Sequence, residues 1–240
     1  MDPLLALTDH RPFPLPDGPW VMEQKWHDLL FAHWAVEPAH IRPLVPPQLE
    51  LELRDGQAWL AVTPFWMSGV KLRGVPSLPW LSRFPELNVR TYVRYGDKPG
   101  VFFFSLDCAR LAAVWGARLG YGLPYFHASM RVKGTNPIQY RSRRGGAVFE
   151  GVYRPVSPAA PALPGSLEHF LTERYCLYTV KAGKVYRGHI HHAPWPLQRA
   201  QADIAGNTMA AAAGITLPSE PPHLLFAREI RVLVWLPEKA

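Results

Sequence analysis

Residues 84–95 read Phe84-Pro85-Glu86-Leu87-Asn88-Val89-Arg90-Thr91-Tyr92-Val93-Arg94-Tyr95, and their reading decides the fold class. Successive side chains of a strand point to opposite faces. Leu87, Val89, Thr91 and Val93 therefore share one face, and Glu86, Asn88, Arg90, Tyr92 and Arg94 the other. Gly96-Asp97-Lys98-Pro99-Gly100 follows, then the apolar run Val101–Cys108 (VFFFSLDC). Two strand-like segments flanking a turn-rich stretch make a hairpin.

The same pattern recurs outward along the chain. Leu49–Arg54 and Gln57–Met67 flank Asp55-Gly56, a strong hairpin signal. Strands are expected at Tyr125–Lys133, Gln139–Arg143, Ala147–Pro155, Tyr175–Ala182, Val185–His191 and Leu224–Leu236. Periodicity leaves Val21–Phe31 open between a strand and a loop or helical turn. Helices are expected where Pro38 opens a first turn that Pro46-Pro47 closes, and at the alanine-rich Ala109–Leu119, which ends at Gly120. Two more are expected after Ser166 through Glu173, with Ser166 as the cap, and over Pro196–Ala213. Residues 1–20 hold five prolines and read as an arm laid over the body. No linker or repeat divides the chain, so residues 1–240 form one domain. The expected class is α+β and strand-dominated: a mostly antiparallel, curved, barrel-like sheet with a few peripheral helices.

Composition narrows the function classes. The 240 residues include 26 Pro, 9 Trp and 11 Phe, which excludes a coiled coil or helical bundle and supplies too much buriable area for a disordered chain. No stretch approaches the ~20 apolar residues of a membrane helix, so no membrane partner is expected. The Met1-Asp2-Pro3 start lacks the basic and apolar regions of a leader. Cys108 and Cys176 form no CxxC pair, so a reduced, cytoplasmic setting is the expectation.

The net charge of +7 sits wholly in the second half of the chain. Arg141-Ser142-Arg143-Arg144-Gly145-Gly146 could serve as a phosphate-contacting loop. No nucleic-acid motif stands elsewhere, and a solvated hairpin tip is the reading adopted, with no nucleic-acid partner.

Three polar strand faces carry the candidate chemistry. Glu86, Asn88, Arg90 and Tyr92 either face water or line an internal cavity of the sheet. Tyr125, His127, Ser129, Arg131 and Lys133 share one face of a second segment, where Tyr and His could move protons and Arg could hold a carboxylate. His189 and His191 share a face at strand spacing, next to His192. A metal site needs a third ligand and supporting partners that the neighbouring sequence does not supply. No metal or other cofactor is therefore expected.

His40–Leu51 (HIRPLVPPQLEL), Phe84–Val93 (FPELNVRTYV) and Gly122–Val132 (GLPYFHASMRV) resemble the acetoacetate decarboxylase-like superfamily. Together with His189–Ala200 (HIHHAPWPLQRA) and Val232–Lys239 (VLVWLPEK), they look more closely like the YqjF-like bacterial family of unknown function. The resemblance covers nearly the whole chain. It implies a cone-like antiparallel barrel around a buried cavity, which turns the Glu86 and Tyr125 faces inward. In the decarboxylases a strand glutamate and an arginine surround two adjacent lysines, one of which forms a Schiff base with a β-keto acid. Glu86 fits the glutamate position. The lysine pair aligns with Tyr125 and Phe126, so both lysines are absent, and the spacing of Lys25 and Lys133 does not bring them there. Decarboxylation through an imine is not carried over.

The expected function is binding of a small anionic organic molecule in a polar cavity. Glu86, Arg90, Tyr125 and His127 are the candidate catalytic residues, and Asn88, Tyr92 and Arg131 the candidate ligand-binding residues. A lyase, hydratase or isomerase without a Schiff base fits. A non-catalytic binding protein using the same cavity fits as well. A third reading makes Glu86 and Arg90 a core ion pair with no ligand at all. A homo-oligomer is expected on family grounds, with Trp80, Trp195 and Trp235 either at an interface or in the core.

Overall fold

The Gly96-Asp97 turn returns β4 (Phe84–Tyr95) directly onto β5 (Lys98–Cys108) in an antiparallel hairpin. Gly96 takes a φ of 61°, which glycine adopts without a Cβ clash. A computed structural model describes residues 2–76, 82–110 and 122–240. The helix expected at Ala109–Leu119 and the side chain of Trp80 lie outside the described residues.

Around this hairpin the chain builds a single curved sheet. Val21–Phe31 resolves as strand: β1 (Met22–Val36) is long and lies between β3 (Ala58–Leu72) and β13 (His223–Val234). β10 (Cys176–Lys181) and β11 (Lys184–His191) form a second hairpin. The path β11–β10–β5–β4–β3–β1–β13 closes on itself, because Ile190 and His191 of β11 pair with Val234 and Leu233 of β13. Seven strands thus make a closed barrel. β2 (Glu50–Leu51) and β14 (Glu238–Lys239) add short edges at β4 and β11. From β13 the sheet continues through β12 (Leu197–Asn207), β9 (Ala147–Pro155), β8 (Ile138–Arg144) and β7 (Ser129–Lys133).

That four-stranded extension folds over the barrel wall. Leu87, Val89 and Val93 of β4 pack with Leu30, Val62, Tyr140 and Phe149 in the main core between the two layers. Tyr140 Oη donates to the Glu86 carbonyl at 2.7 Å, and Tyr153 Oη to the Asp28 carbonyl at 2.9 Å. The apolar face of β4 is therefore covered from outside, and its polar face is left to the barrel interior.

The sheet is mostly antiparallel, as expected, with β5 running parallel to both β10 and β6 (Tyr125–His127). Parallel neighbours need long connections, and β10 returns to β5 only after the excursion through the extension. Several sequence expectations are corrected. Pro196–Ala213 is not a helix but β12, followed by a 3-10 turn at Ala211–Ala213. Pairing with β9 and β13 overrides the helical preference of its alanines. Asp55-Gly56 makes the expected tight turn, yet only Arg54 and Gln57 pair across it, because β2 leaves to join β4. Tyr125–Lys133 is not one strand. It breaks at Ala128, whose N–H donates to the Cys108 carbonyl at 3.0 Å, and β6 and β7 pair with different strands.

Helical structure is peripheral. α1 (Pro38–Ile41) opens on its proline as expected. α2 (Leu167–Thr172) is capped by Ser166 Oγ, which accepts from the His169 N–H. Trp195 and Trp235 are core residues, 2% and 5% exposed. Among the described residues no helix is long and apolar enough to cross a membrane.

Candidate functional site

A pocket of about 410 Å³ opens into the barrel. The inward positions of β3 line it in order, Thr63, Phe65, Met67, Val70 and Leu72, opposite Phe84, Glu86, Asn88 and Arg90 of β4. Cross-strand register places Thr63 beside Asn88 and Phe65 beside Glu86. Its mouth lies at Leu72 and Leu236, both of which line the pocket and remain largely exposed.

Glu86 is 3% exposed. Tyr125 Oη donates to its Oε2 at 3.0 Å. Burial pushes the carboxyl up to about 8, the bond from Tyr125 opposes this, and the nearby Asp107 adds to it. At neutral pH Glu86 is therefore mainly a protonated acid, able to donate as well as accept. Asp107 is fully buried and held by Arg144 Nε at 2.9 Å.

Arg90 is 8% exposed, and its guanidinium lies 5.6 Å from the centre of the Phe31 ring. No ion pair between Glu86 and Arg90 forms. Four residues of strand separate their Cα atoms by roughly 13 Å, which replaces the expected core ion pair with two separate groups. Arg90 has no carboxylate partner among the described residues, and its buried Nε is unpartnered. Asn88 Oδ1 and Thr63 Oγ1 are likewise buried and unpartnered. Arg174, also in the lining, differs: its charge is met by Glu52 and its Nε donates to the Phe170 carbonyl at 2.7 Å.

Burial pushes the Cys108 thiol up to about 12 and that of Cys176 up to about 11, and both are free. No lysine lines the pocket among the described residues.

The structure thus brings Glu86, Asn88, Arg90 and Tyr125 together and places the other named residues elsewhere. His127 is exposed and outside the lining. It shares the face of Tyr125 but lies two residues, about 7 Å, further along β6, beside Cys108 at the end of β5. Arg131 is exposed on β7 opposite Arg141, because the break at Ala128 ends the alternation that linked it to Tyr125. Tyr92 is fully buried and outside the lining: Oη donates to the Leu171 carbonyl at 2.8 Å and accepts from His33 Nε2 at 2.8 Å. Thr63 and Arg174 were missed from sequence. Thr63 sits in the apolar run Ala58–Met67, where only its register beside Asn88 marks it, and Arg174 arrives from the segment after α2.

Of the three clustered histidines, His191 fastens the N-terminal arm. Arg11 Nη1 donates to His191 Nδ1 at 3.0 Å, while His191 Nε2 donates to the Leu4 carbonyl at 2.8 Å. His192 Nδ1 donates to the Ala193 carbonyl at 2.7 Å, and its ring stacks on Tyr175 with centroids 4.7 Å apart. His189 Nε2 lies 3.0 Å from Glu238. Among the described residues no group of three or more His, Cys, Asp or Glu side chains is arranged to hold a metal.

With this geometry in hand, comparison with known proteins gives one close relative and several distant ones. The DUF2071 family, described as an uncharacterized conserved protein, matches residues 23–231. The uncharacterized protein YqjF of Bacillus subtilis (strain 168) is 48% identical over 225 residues, covering 92% of this chain and 93% of YqjF. Among solved structures, acetoacetate decarboxylase from Legionella pneumophila superposes with a TM-score of 0.64 at 12% identity, over 99% of this chain and 94% of that one. The enduracididine biosynthesis enzyme MppR, complexed with the condensation product of pyruvate and imidazole 4-carboxaldehyde, gives 0.64 at 10% identity, over 92% and 90%. At such identities the likeness is one of fold: an acetoacetate decarboxylase-like barrel.

Proposed function

The chain belongs to the DUF2071 family of uncharacterized conserved proteins, and from that premise we propose that its barrel pocket binds an organic acid and exchanges a proton with it through Glu86. The observation that carries this reading is Arg90, a buried guanidinium in the pocket lining with no carboxylate partner among the described residues, beside Asn88 and Thr63. A buried charge left unpaired costs several kcal/mol. Arg90, a buried cation without a protein counter-charge, takes the ligand carboxylate in a charge-assisted pair.

Glu86 supplies the chemistry. As the carboxylate it takes a proton from the carbon beside the ligand carbonyl, leaving an enolate, and as the neutral acid it returns a proton to that carbon, with Tyr125 holding Oε2 in place. A carboxyl poised near 8 suits this exchange at physiological pH. The reaction class is lyase, hydratase or isomerase. An imine on lysine has no place in it, because no described residue of the lining is a lysine.

A binding protein without turnover is the second reading. It is favoured by the position of His127, which leaves Glu86 and Tyr125 as the pocket's proton-transfer groups. Ligands drawn from a metabolite mixture, incubated in D2O and followed by NMR, separate the two. Deuterium entering a C–H bond of the bound acid with wild type and not with Glu86→Gln supports catalysis. Binding without exchange supports the carrier.

A further inference from the structure

The polar groups of the pocket are gathered at one end, apart from Gln24, whose Oε1 accepts from Trp26 Nε1 at 2.7 Å nearer Leu72. Thr63, Glu86, Asn88 and Arg90 occupy neighbouring positions on β3 and β4. From there the inward face of β3 runs through Phe65, Met67 and Val70 to Leu72, nine residues or about 30 Å of strand. Those four residues are apolar, and the adjoining strands β1 and β4 add Leu29, Phe31 and Phe84. Leu72 and Leu236 are 58% and 67% exposed at the mouth, so the apolar surface continues to solvent.

Size points the same way. A dry apolar cavity of roughly 150 Å³ holds one benzene. A volume of 410 Å³ therefore takes roughly 10–16 non-hydrogen atoms, two or more times the bulk of a three-carbon keto acid.

We propose that the ligand is an amphipathic carboxylic acid, its carboxylate on Arg90 and an elongated apolar body of roughly eight to twelve carbons lying along β3 past Phe65 toward Met67. The inference rests on the organic-acid reading of the same site. A small keto acid would satisfy the polar end and leave the apolar channel uncovered, whereas an acid of this length covers it as far as Met67.

The test is a calorimetric titration of delipidated protein with acetate, butanoate, octanoate and dodecanoate, with 1-octanol as the uncharged control. Affinity is expected to rise about fourfold per methylene between butanoate and octanoate, the factor expected for burying one CH2. Octanoate is expected to bind one to one, at least tenfold more tightly than 1-octanol, and Arg90→Met is expected to erase that difference. Met67→Trp, which narrows the channel about 13 Å along β3 from Thr63, is expected to weaken dodecanoate and leave butanoate unchanged. Acetate or butanoate binding as tightly as octanoate overturns this inference and leaves the organic-acid reading standing. Failure of every carboxylate to bind folded protein overturns the organic-acid reading itself. Equal binding of 1-octanol and octanoate removes the acid from the proposal.

Discussion

Glu86 and Arg90 are four residues apart on one strand face and behave as independent groups, so their variants have different signatures. Burial holds the folded-state pKa of Glu86 above its unfolded value of 4.5 and near 8. Between those values the native state binds the proton and the unfolded state releases it, so stability falls as pH rises through that window. Glu86→Gln removes the titration. In urea unfolding at pH 5 and pH 8.5, the variant is expected to gain on wild type at the higher pH by on the order of a few kcal/mol. Arg90→Met should weaken carboxylate binding by about 1.5–3 kcal/mol, the range for a charged hydrogen bond. Arg143→Ala should change it by no more than ~1 kcal/mol, because Arg143 is exposed on β8 and faces only Glu150, at 3.8 Å. A binding loss larger for Arg143→Ala, and steep in salt, would move the anion site to the basic hairpin.

Among the elements, β4 and the N-terminal arm show how a residue type can promise chemistry and deliver structure. Tyr92 shares a strand with Arg90, yet its hydroxyl ties β1 to α2 through His33 and Leu171. Tyr92→Phe leaves the Leu171 carbonyl without its donor and His33 without its acceptor. It should cost about 2 kcal/mol in chemical denaturation, and because Tyr92 also hydrogen-bonds Arg90 it should weaken carboxylate binding less than Arg90→Met does.

The arm is fastened by His191, which must be neutral to accept from Arg11 at Nδ1. Burial lowers its pKa first, and the charges of Arg11 and His10 add to this against Asp2. His192 is pushed down to about 3, chiefly by burial. Because the detached state takes up protons first, docking loses stability as pH falls below about 6.5, the ordinary histidine value. Hydrogen exchange over residues 2–20 should accelerate between pH 7 and pH 5 beyond the intrinsic pH trend, and His191→Gln should blunt the change. An arm equally protected at both pH values would show that His191 is not its fastener.

For the molecule as a whole, an acetoacetate decarboxylase-like barrel encloses a pocket from which the lysine pair is absent. Borohydride added with a β-keto acid is therefore expected to leave the protein mass unchanged, read by intact mass spectrometry. A covalent adduct mapped to a lysine would restore imine chemistry and overturn the proton-exchange reading. Closure of the barrel by β11 and β13 gives β4 two buried faces and so chooses between water and cavity for Glu86, Asn88 and Arg90. Exposed Leu72 and Leu236 at the mouth make access to that cavity a property of the assembled barrel, since they come from strand β3 and the segment after β13.

Alternation by itself determined β4, its apolar and polar faces and the hairpin from Phe84 to Cys108, because strand period and turn chemistry are local. Missing lysines at Tyr125 and Phe126 are equally a matter of residue identity. Tertiary structure decided the rest. Alternation carried Tyr125, His127 and Arg131 onto one face, but the break at Ala128 sends β7 to pair with β8, and only Tyr125 stays at the pocket. The alanines of β12 favour a helix in isolation, and backbone pairing with β9 and β13 holds them extended. Thr63 and Arg174 carry no local signal, and non-local register alone brings them to the pocket that Arg90 lines. Strand pairing and burial are set by residues far apart in the chain, so no window of sequence contains them.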